Sequence, residues 1–294
     1  MKGLVIKKNA NIFTVLFEEK KYDCIPRGKN KASGVFVGDY IEFSCENNQF
    51  FIEKVYSRKN CLVRPPVANI DQMLIVLSCT PKPDLVLIDK LILMCFLNGI
   101  EPVLCVNKID ISNDNFVSEI KNQYTSVLKI VFLSAKTKEN IFLIKELLKG
   151  KISAFAGQSA VGKSALTNAI LNKECTLVGE LSKKIERGKN TTRLTELYEI
   201  EPNSFLIDTA GFTFLDEDLL LIEPEELWKF YPEFIDSSKN CKFGKCTHTN
   251  EDISVCGVKK ATTEGIISTE RYNRYKDLFL IIQKRWKSNY GKKA

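Results

Sequence analysis

The chain of 294 residues is long enough for one large domain or for two or three small ones, each with its own core. Its longest apolar run is interrupted by Asp89 and Lys90, and no run reaches the roughly 18 to 20 residues that cross a bilayer. The N-terminus also lacks an apolar stretch of signal-peptide length, so the sequence predicts a cytoplasmic protein with no membrane contact.

The net charge of +7 is unevenly distributed. Residues 1–66 carry 12 Lys and Arg against 7 Asp and Glu, and residues 271–294 carry 8 against 1, which leaves 23 against 28 between them. Two basic ends indicate a polyanionic partner, of which RNA is the commonest. Lys-rich faces that only keep the protein in solution would give the same pattern.

Ten cysteines are present, and seven of them are scattered singly, several inside apolar runs. This usage favours a reducing compartment over a disulfide framework. The other three surround the single histidine of the chain.

Residues 1–66 consist of short β segments separated by turn residues, which predicts five strands. The segments are GLVIKK, NIFTVLF, KKYDCIP, GDYIEFSC and QFFIEKVY. Five strands in so short a stretch indicate a small barrel of the oligonucleotide-binding (OB) type. A barrel that serves only as a spacer would have the same pattern, so this fold does not by itself establish RNA binding.

Two successive prolines, Pro65 and Pro66, are expected to end regular structure before a domain of residues 67–222. Apolar strands alternate there with helical stretches, which predicts an α/β fold with a parallel sheet covered on both faces. The strand segments are QMLIVLS, EPVLCVN, KIVFLSA, KISAFAG and NSFLIDTAG. The first helix should begin at an N-cap, Asp84, and end near Gly99.

Residues 223–294 form a third predicted unit, with a short helix after Pro224, a Cys/His cluster and a final amphipathic helix. The charged side of this last helix includes Arg274. Four residues at helical spacing predict that its other side packs into a core, and a surface for a partner is the alternative: Tyr272, Tyr275, Phe279 and Ile282.

The segment GQSAVGKS, residues 157–164, lies between an apolar strand and a helix, as the Walker A phosphate loop requires. Gly157 and Gly162 allow backbone N–H groups to face the phosphates. Lys163 is predicted to reach the β and γ phosphates, and the Ser164 hydroxyl to ligate Mg²⁺. The predicted nucleotide contacts of this segment are Gly157, Gln158, Ser159, Ala160, Val161, Gly162, Lys163, Ser164 and Ala165.

The segment LIDTAGF, residues 206–212, ends a strand at Asp208, which is predicted to hold Mg²⁺ through water, while the Gly211 N–H faces the γ phosphate. Between it and the phosphate loop, the polar segment IERGKNTTRLTE is predicted to be a switch in which Thr191 or Thr192 closes on Mg²⁺. Which threonine does so is open, and a mobile loop without a ligand role is the alternative.

Two further segments predict specificity for guanine. In VNKID, the Asp110 carboxylate can accept from N1–H and the 2-amino group together, an arrangement that adenine cannot satisfy. Asn107 can contact the base and brace the loop, the Lys108 stem packs on the purine, and in LSAK the Ala135 N–H would meet guanine O6. The predicted base contacts are Asn107, Lys108, Ile109, Asp110, Ser134, Ala135 and Lys136.

The guanine loops precede the phosphate loop, the reverse of the usual order. A nucleotide is bound by loops at the carboxyl ends of parallel strands, so a circular permutation leaves the pocket intact. This order, flanked by a β-barrel and a Cys/His module, resembles the circularly permuted family known as ribosome small-subunit-dependent GTPase A over essentially the whole chain. The resemblance implies a slow GTPase, using GTP, GDP and Mg²⁺, that binds the small ribosomal subunit and its rRNA, is stimulated by it and assists its late maturation. We expect a monomer.

The spacing Cx4CxHx7C supplies three thiolates and one imidazole, which predicts a structural zinc site with no open position. Its ligands are Cys241, Cys246, His248 and Cys256. The last gap is longer than is typical of the family, which leaves the fourth ligand, Cys256, open.

Residue 212, where many GTPases keep a glutamine that orients the attacking water, is Phe212, and Asn190 stands where the family often places a histidine. We therefore expect weak intrinsic hydrolysis that a bound partner assists. Two other functions remain possible: an RNA-binding assembly factor in which the nucleotide is only structural, and a metabolic GTP-using enzyme, for which no separate acceptor site is found.

Overall fold

Five N-terminal strands form a closed barrel in the computed structural model, which describes residues 1–27, 34–63, 65–171, 196–208 and 222–290. The strands are β1 (Lys2–Asn9), β2 (Ile12–Phe17), β3 (Lys20–Pro26), β4 (Tyr40–Glu46) and β5 (Gln49–Val55). They follow the order β1-β2-β3-β5-β4, and β4 pairs back with β1. The predicted five-stranded barrel is confirmed, and alternate residues such as Val5, Phe13 and Phe43 fill its interior.

A short hairpin connects the barrel to the next part of the chain. It pairs β6 (Cys61–Val63) with β7 (Pro66–Ala68). The expectation that the two prolines end regular structure is therefore wrong at Pro66. Proline is tolerated there because it is the first residue of a strand, where the missing N–H costs least.

The central part is a sheet in which five strands run parallel, as predicted. These strands are β8 (Gln72–Ser78), β9 (Glu101–Asn107), β10 (Lys129–Phe132), β11 (Ile152–Ala156) and β13 (Ser204–Asp208). The helices between them are α1 (Leu85–Leu97), α2 (Asp114–Tyr124), α3 (Ile141–Leu148) and α4 (Lys163–Leu171). The Asp84 side chain caps α1 by accepting the Leu87 N–H at 3.0 Å, and Gly99 follows it with φ +63°.

One strand, β12 (Glu196–Glu201), was not predicted. It lies antiparallel to β13 and pairs on its other side with β1, where Lys7 faces Glu196 with a 3.0 Å ion pair. The barrel and the parallel strands therefore belong to one 11-stranded sheet, in the order β10-β9-β8-β11-β13-β12-β1-β2-β3-β5-β4.

The C-terminal part is helical. A 3₁₀ helix at Pro224–Phe230 leads into α5 (Pro232–Ser238), so the single helix expected there is divided at Pro232. The remaining helices are α6 (Gly257–Thr263) and α7 (Thr269–Tyr290). The apolar stripe of α7 is buried as predicted, and Tyr275 is fully enclosed. None of the helices in the described ranges has the length and apolarity that a bilayer-spanning helix needs.

The charged side of α7 differs from expectation. The helical pattern predicts Arg274 on the charged, solvent-facing side, yet its side chain is only 13% exposed and is paired with Asp89 of α1. Arg271, one turn earlier, is 2% exposed and contacts the same carboxylate. Isolated charges are not buried in this way, and these are tolerated because each one has an opposite partner.

Candidate guanine-nucleotide and metal sites

The phosphate loop joins the end of β11 to the start of α4, and its glycines are required by its geometry. Gly157 has φ +124° and Gly162 has φ +98°. A Cβ atom at Gly157 would lie 2.1 Å from the Val76 carbonyl oxygen, and one at Gly162 would lie 2.4 Å from the Asn107 Nδ2. Both positions therefore exclude any larger residue.

Lys163 is the first residue of α4, and its side chain contacts the backbone of this loop. Its ammonium donates to the carbonyl oxygens of Gly157 at 2.8 Å and of Gln158 at 2.6 Å. Burial lowers the pKa of Lys163 from its ordinary value. The two carbonyl oxygens hold the ammonium at the mouth of the loop, and a phosphate group bound there would offset this cost of burial by pairing with the charge.

Asn107, at the end of β9, connects the three loops. It is buried, and its Nδ2 donates to the Val161 carbonyl of the phosphate loop at 2.9 Å. Its Oδ1 accepts the Ala135 N–H of the SAK segment at 3.0 Å. Both ends of this amide therefore bind protein, which is the bracing position that the sequence suggests for Asn107, and its contact with the base stays a prediction.

The other guanine-loop residues lie on the same side of the sheet. The Lys108 ammonium donates to the carbonyls of Thr80 at 2.7 Å and of Ala160 at 2.8 Å. The Ser134 hydroxyl donates to the Asp110 carboxylate at 2.6 Å. That carboxylate belongs to an exposed residue, so it is oriented by Ser134 and open to a ligand.

The remaining predicted contacts follow the carboxyl ends of the parallel strands, next to these loops. Ile109 is half-buried in a 3₁₀ turn, and Lys136, Ser159, Ser164 and Ala165 are exposed. Asp208 ends β13, whose register pairs Ile207 with Ala154, so its backbone lies beside the strand that leads into the phosphate loop. The expected switch residues Asn190, Thr191, Thr192, Gly211 and Phe212 lie outside the described residues.

One contact of the phosphate loop was missed by the sequence analysis. The Gln158 side-chain oxygen accepts the backbone N–H of Asp84, the N-cap of α1, at 3.2 Å. Nothing in the spacing of the two segments indicates this pairing, since they are 74 positions apart.

A second site lies in the helical C-terminal part. The ligand atoms of Cys241, Cys246, His248 and Cys256 all lie within 4.8 Å of one another. His248 Nδ1 is 3.6 Å from the Cys241 Sγ and 3.5 Å from the Cys256 Sγ. The long loop before Cys256 therefore does not keep it away from the other three.

The surroundings of the cluster fit a tetrahedral zinc ion. Backbone N–H groups of Gly257 and Lys259 point at the sulfurs of Cys241 and Cys256, at 3.3 and 3.5 Å, where they would stabilise thiolates. Burial lowers the pKa of His248 to about 4, so its imidazole is neutral and can act as a ligand near neutral pH. Three thiolates and one imidazole are a donor set of structural zinc.

Comparisons with known proteins agree with this geometry. The family model described as RsgA GTPase matches residues 55–217, more than half of the chain, and one described as 50S ribosome-binding GTPase matches residues 152–284. The small ribosomal subunit biogenesis GTPase RsgA of Clostridium acetobutylicum is 40% identical over 281 residues, covering 94% of this chain and 96% of that protein. Its namesake in Caldanaerobacter subterraneus subsp. tengcongensis is 39% identical over 295 residues, covering 99% and 98%.

Solved structures give the same result. YjeQ from Thermotoga maritima has a TM-score of 0.80 at 34% identity, covering 96% of this chain and 98% of that one. YloQ, a circularly permuted GTPase, has a TM-score of 0.77 at 29% identity, covering 97% and 95%. The permuted GTPase fold predicted from the motif order is confirmed.

Proposed function

Because the chain belongs to the RsgA GTPase family and is therefore a GTP hydrolase that uses GTP, GDP and Mg²⁺, we propose that it binds the small ribosomal subunit and assists its late maturation. The names of its relatives support this partner. The two basic ends of the chain, +5 over residues 1–66 and +7 over residues 271–294, supply charge for rRNA.

The observation that carries the proposal is the position of Asn107. Through its contacts with Val161 and Ala135, one buried side chain holds together the phosphate loop, the VNKID segment and the SAK segment. These are the segments that a guanine nucleotide needs in one cleft, whatever their order along the chain.

We assign roles within this cleft by chemistry. Lys163 and the backbone N–H groups of residues 157–164 hold the phosphates, Ser164 and Asp208 hold Mg²⁺, and Asp110 selects guanine. Asn190, one of Thr191 and Thr192, and the Gly211 N–H complete the site around the γ phosphate. The other base and loop residues named from the sequence shape the walls of the pocket.

Intrinsic hydrolysis should be slow. Phe212 cannot hydrogen-bond the attacking water, and Asn190 cannot take its proton near neutral pH. We infer that the bound ribosomal subunit supplies the group that orients the attacking water or accepts its proton.

The chain divides into three functional units in this proposal: the barrel of residues 1–66, the GTPase unit of residues 67–222 and the zinc-binding unit of residues 223–294. The separate apolar cores of the barrel and the C-terminal helices support this division. One zinc ion would be held by the cysteines and histidine described above, with a structural role. We propose that the protein acts in the cytoplasm as a monomer.

GTP turnover tests this proposal most directly. It should be measured on the full chain alone and with purified small subunits, large subunits or free rRNA, and only small subunits should accelerate it strongly. The large subunit is the critical comparison, because one of the matching family models is described as 50S ribosome-binding. A fast rate for the isolated protein, or equal stimulation by both subunits, contradicts the proposal.

Ser164→Ala distinguishes the proposed function from a second one, an assembly factor in which the nucleotide is only structural. This variant loses the Mg²⁺ ligand and should lose turnover. If it still supports small-subunit maturation at the normal rate in cells, hydrolysis is not needed and the second function is correct.

A further inference from the structure

A buried ion cluster joins α1 of the GTPase unit to the C-terminal helices. The Asp89 carboxylate accepts from the Tyr124 hydroxyl at 2.8 Å, from Arg271 at 2.6 Å and from Arg274 at 2.5 Å. Arg271 also donates to Glu233 of α5. The side chains of Asp89, Arg271 and Glu233 are at most 3% exposed, so losing one partner would leave a charge uncompensated in the interior.

The rest of α1 is held between two apolar cores. Ile88, Leu91 and Ile92 pack into the core beneath the parallel sheet. Asp89 and Leu93, four residues apart and therefore on one face of the helix, turn towards the C-terminal helices, where Leu93 is part of their core. Because α1 is closely packed on both sides, a displacement of the C-terminal unit would act on α1 directly.

The first turn of α1 meets the phosphate loop. The Asp84 N–H donates to the Gln158 side chain at 3.2 Å, while the Asp84 carboxylate caps the helix through the Leu87 N–H. The Gln158 carbonyl in turn accepts from the Lys163 ammonium at 2.6 Å. The conformation of Gln158 therefore depends on where α1 begins.

We propose that Asp89 is a positioning residue for the nucleotide: anchored by Arg271 and Arg274, it fixes α1, and α1 fixes the phosphate loop through Gln158. This coupling rests on the nucleotide site proposed above. Through this coupling, a partner that contacts α7 could change the affinity of the phosphate loop for the nucleotide without contacting the nucleotide itself. By reciprocity, the nucleotide changes the affinity for that partner by the same factor.

A double-mutant cycle on the full chain tests the coupling, with a fluorescent GDP analogue as the probe. The four proteins are wild type, Arg274→Gln, Gln158→Ala and the double variant. Arg274 lies at the edge of the cluster, and its loss leaves Asp89 paired with Arg271, so the variant should fold. We expect Arg274→Gln to raise the Kd for the analogue by a factor of about 3 to 30, the range that residues between coupled sites produce.

In the Gln158→Ala background, Arg274→Gln should change the Kd by less than about twofold, because the contact between α1 and the Gln158 side chain is already absent. Lys284→Gln is the matched control: it removes one positive charge from an exposed position on the same helix and should leave the Kd unchanged. Arg274→Lys keeps the charge but loses the forked contacts to Gln123 and Tyr124, so it should have a smaller effect of the same sign.

Circular dichroism verifies the fold of each variant, and Arg274→Lys replaces Arg274→Gln in the cycle if the latter does not fold. Equal effects of the Arg274 substitution in both backgrounds, or an effect no larger than that of Lys284→Gln, overturn the coupling alone. A wild-type chain that fails to bind the analogue overturns the nucleotide site itself and the coupling with it.

Discussion

Asn107 donates its side-chain N–H to the carbonyl of Val161 over 2.9 Å, so one buried amide fixes the guanine loop to a phosphate loop 54 positions further along the chain. In a permuted chain no short connection holds these loops together, and the parallel sheet brings them to one edge without setting their separation. The amide sets that separation, and Gly162 leaves the space it needs.

Asn107→Ala should therefore weaken nucleotide binding without unfolding the protein. The substitution leaves the Val161 carbonyl and the Ala135 N–H without their partner, at a cost of about 1–3 kcal/mol for each group, and frees both loops to move apart. We expect the Kd for GDP, measured by titration calorimetry, to rise by about tenfold or more. Asn122→Ala, on the exposed side of α2, is the matched control. An unchanged affinity in Asn107→Ala would mean that this side chain does not hold the loops in the arrangement that binds the nucleotide.

Asp110→Asn tests the choice of base. A carboxylate accepts from both N1–H and the 2-amino group of guanine, whereas an amide presents one acceptor and one donor. The variant should lose GDP affinity by about 10- to 100-fold and gain relative affinity for xanthosine diphosphate, whose carbonyl at position 2 can accept from the new amide. Competition between the two nucleotides measures the ratio directly, and a ratio equal to that of the wild type would contradict the assignment of Asp110.

Zinc content tests the C-terminal cluster. The purified chain should carry about one zinc per molecule by atomic emission, and Cys256→Ser should lower that content and the thermal midpoint of the C-terminal helices together. Cys45→Ser, at an exposed position of β4, controls for the loss of a thiol and should change neither. Full zinc occupancy in Cys256→Ser would mean that the fourth ligand is another group.

The sequence was sufficient to predict the barrel, the parallel strands and the VNKID, SAK and GQSAVGKS segments that meet at Asn107. Each of these depends on a local pattern: alternation in residues 1–66, buried runs such as ISAFA, and Gly157 and Gly162 at phosphate-loop spacing between a strand and a helix. Strand β12, which lies between β13 and β1 in the sheet, was missed because its alternating acidic residues resemble the polar switch segment that precedes it.

The contacts between units could not be predicted in this way. Asp89 interrupts an apolar helix, and from the sequence it indicates only that this helix does not cross a membrane. Arg271 and Arg274, which neutralise it, lie 182 and 185 positions further along the chain. The only signal in the sequence is an acidic residue within an otherwise apolar helix, because a buried carboxylate needs a cationic partner from another part of the fold.

Arg271 should accordingly be the most sensitive cation of the C-terminal unit. Arg271→Met leaves Glu233 buried without its cation and Asp89 with only Arg274, and removing one partner of a buried ion pair costs about 3–5 kcal/mol. Hydrogen exchange should show the amides of α7 and α5 exchanging faster by a factor that reflects this loss, while those of the barrel are unaffected. Lys287→Met, an exposed position near the end of α7, should leave exchange unchanged. If Arg271→Met exchanges like Lys287→Met, the ion cluster contributes no net stability to the joint between α1 and the C-terminal helices.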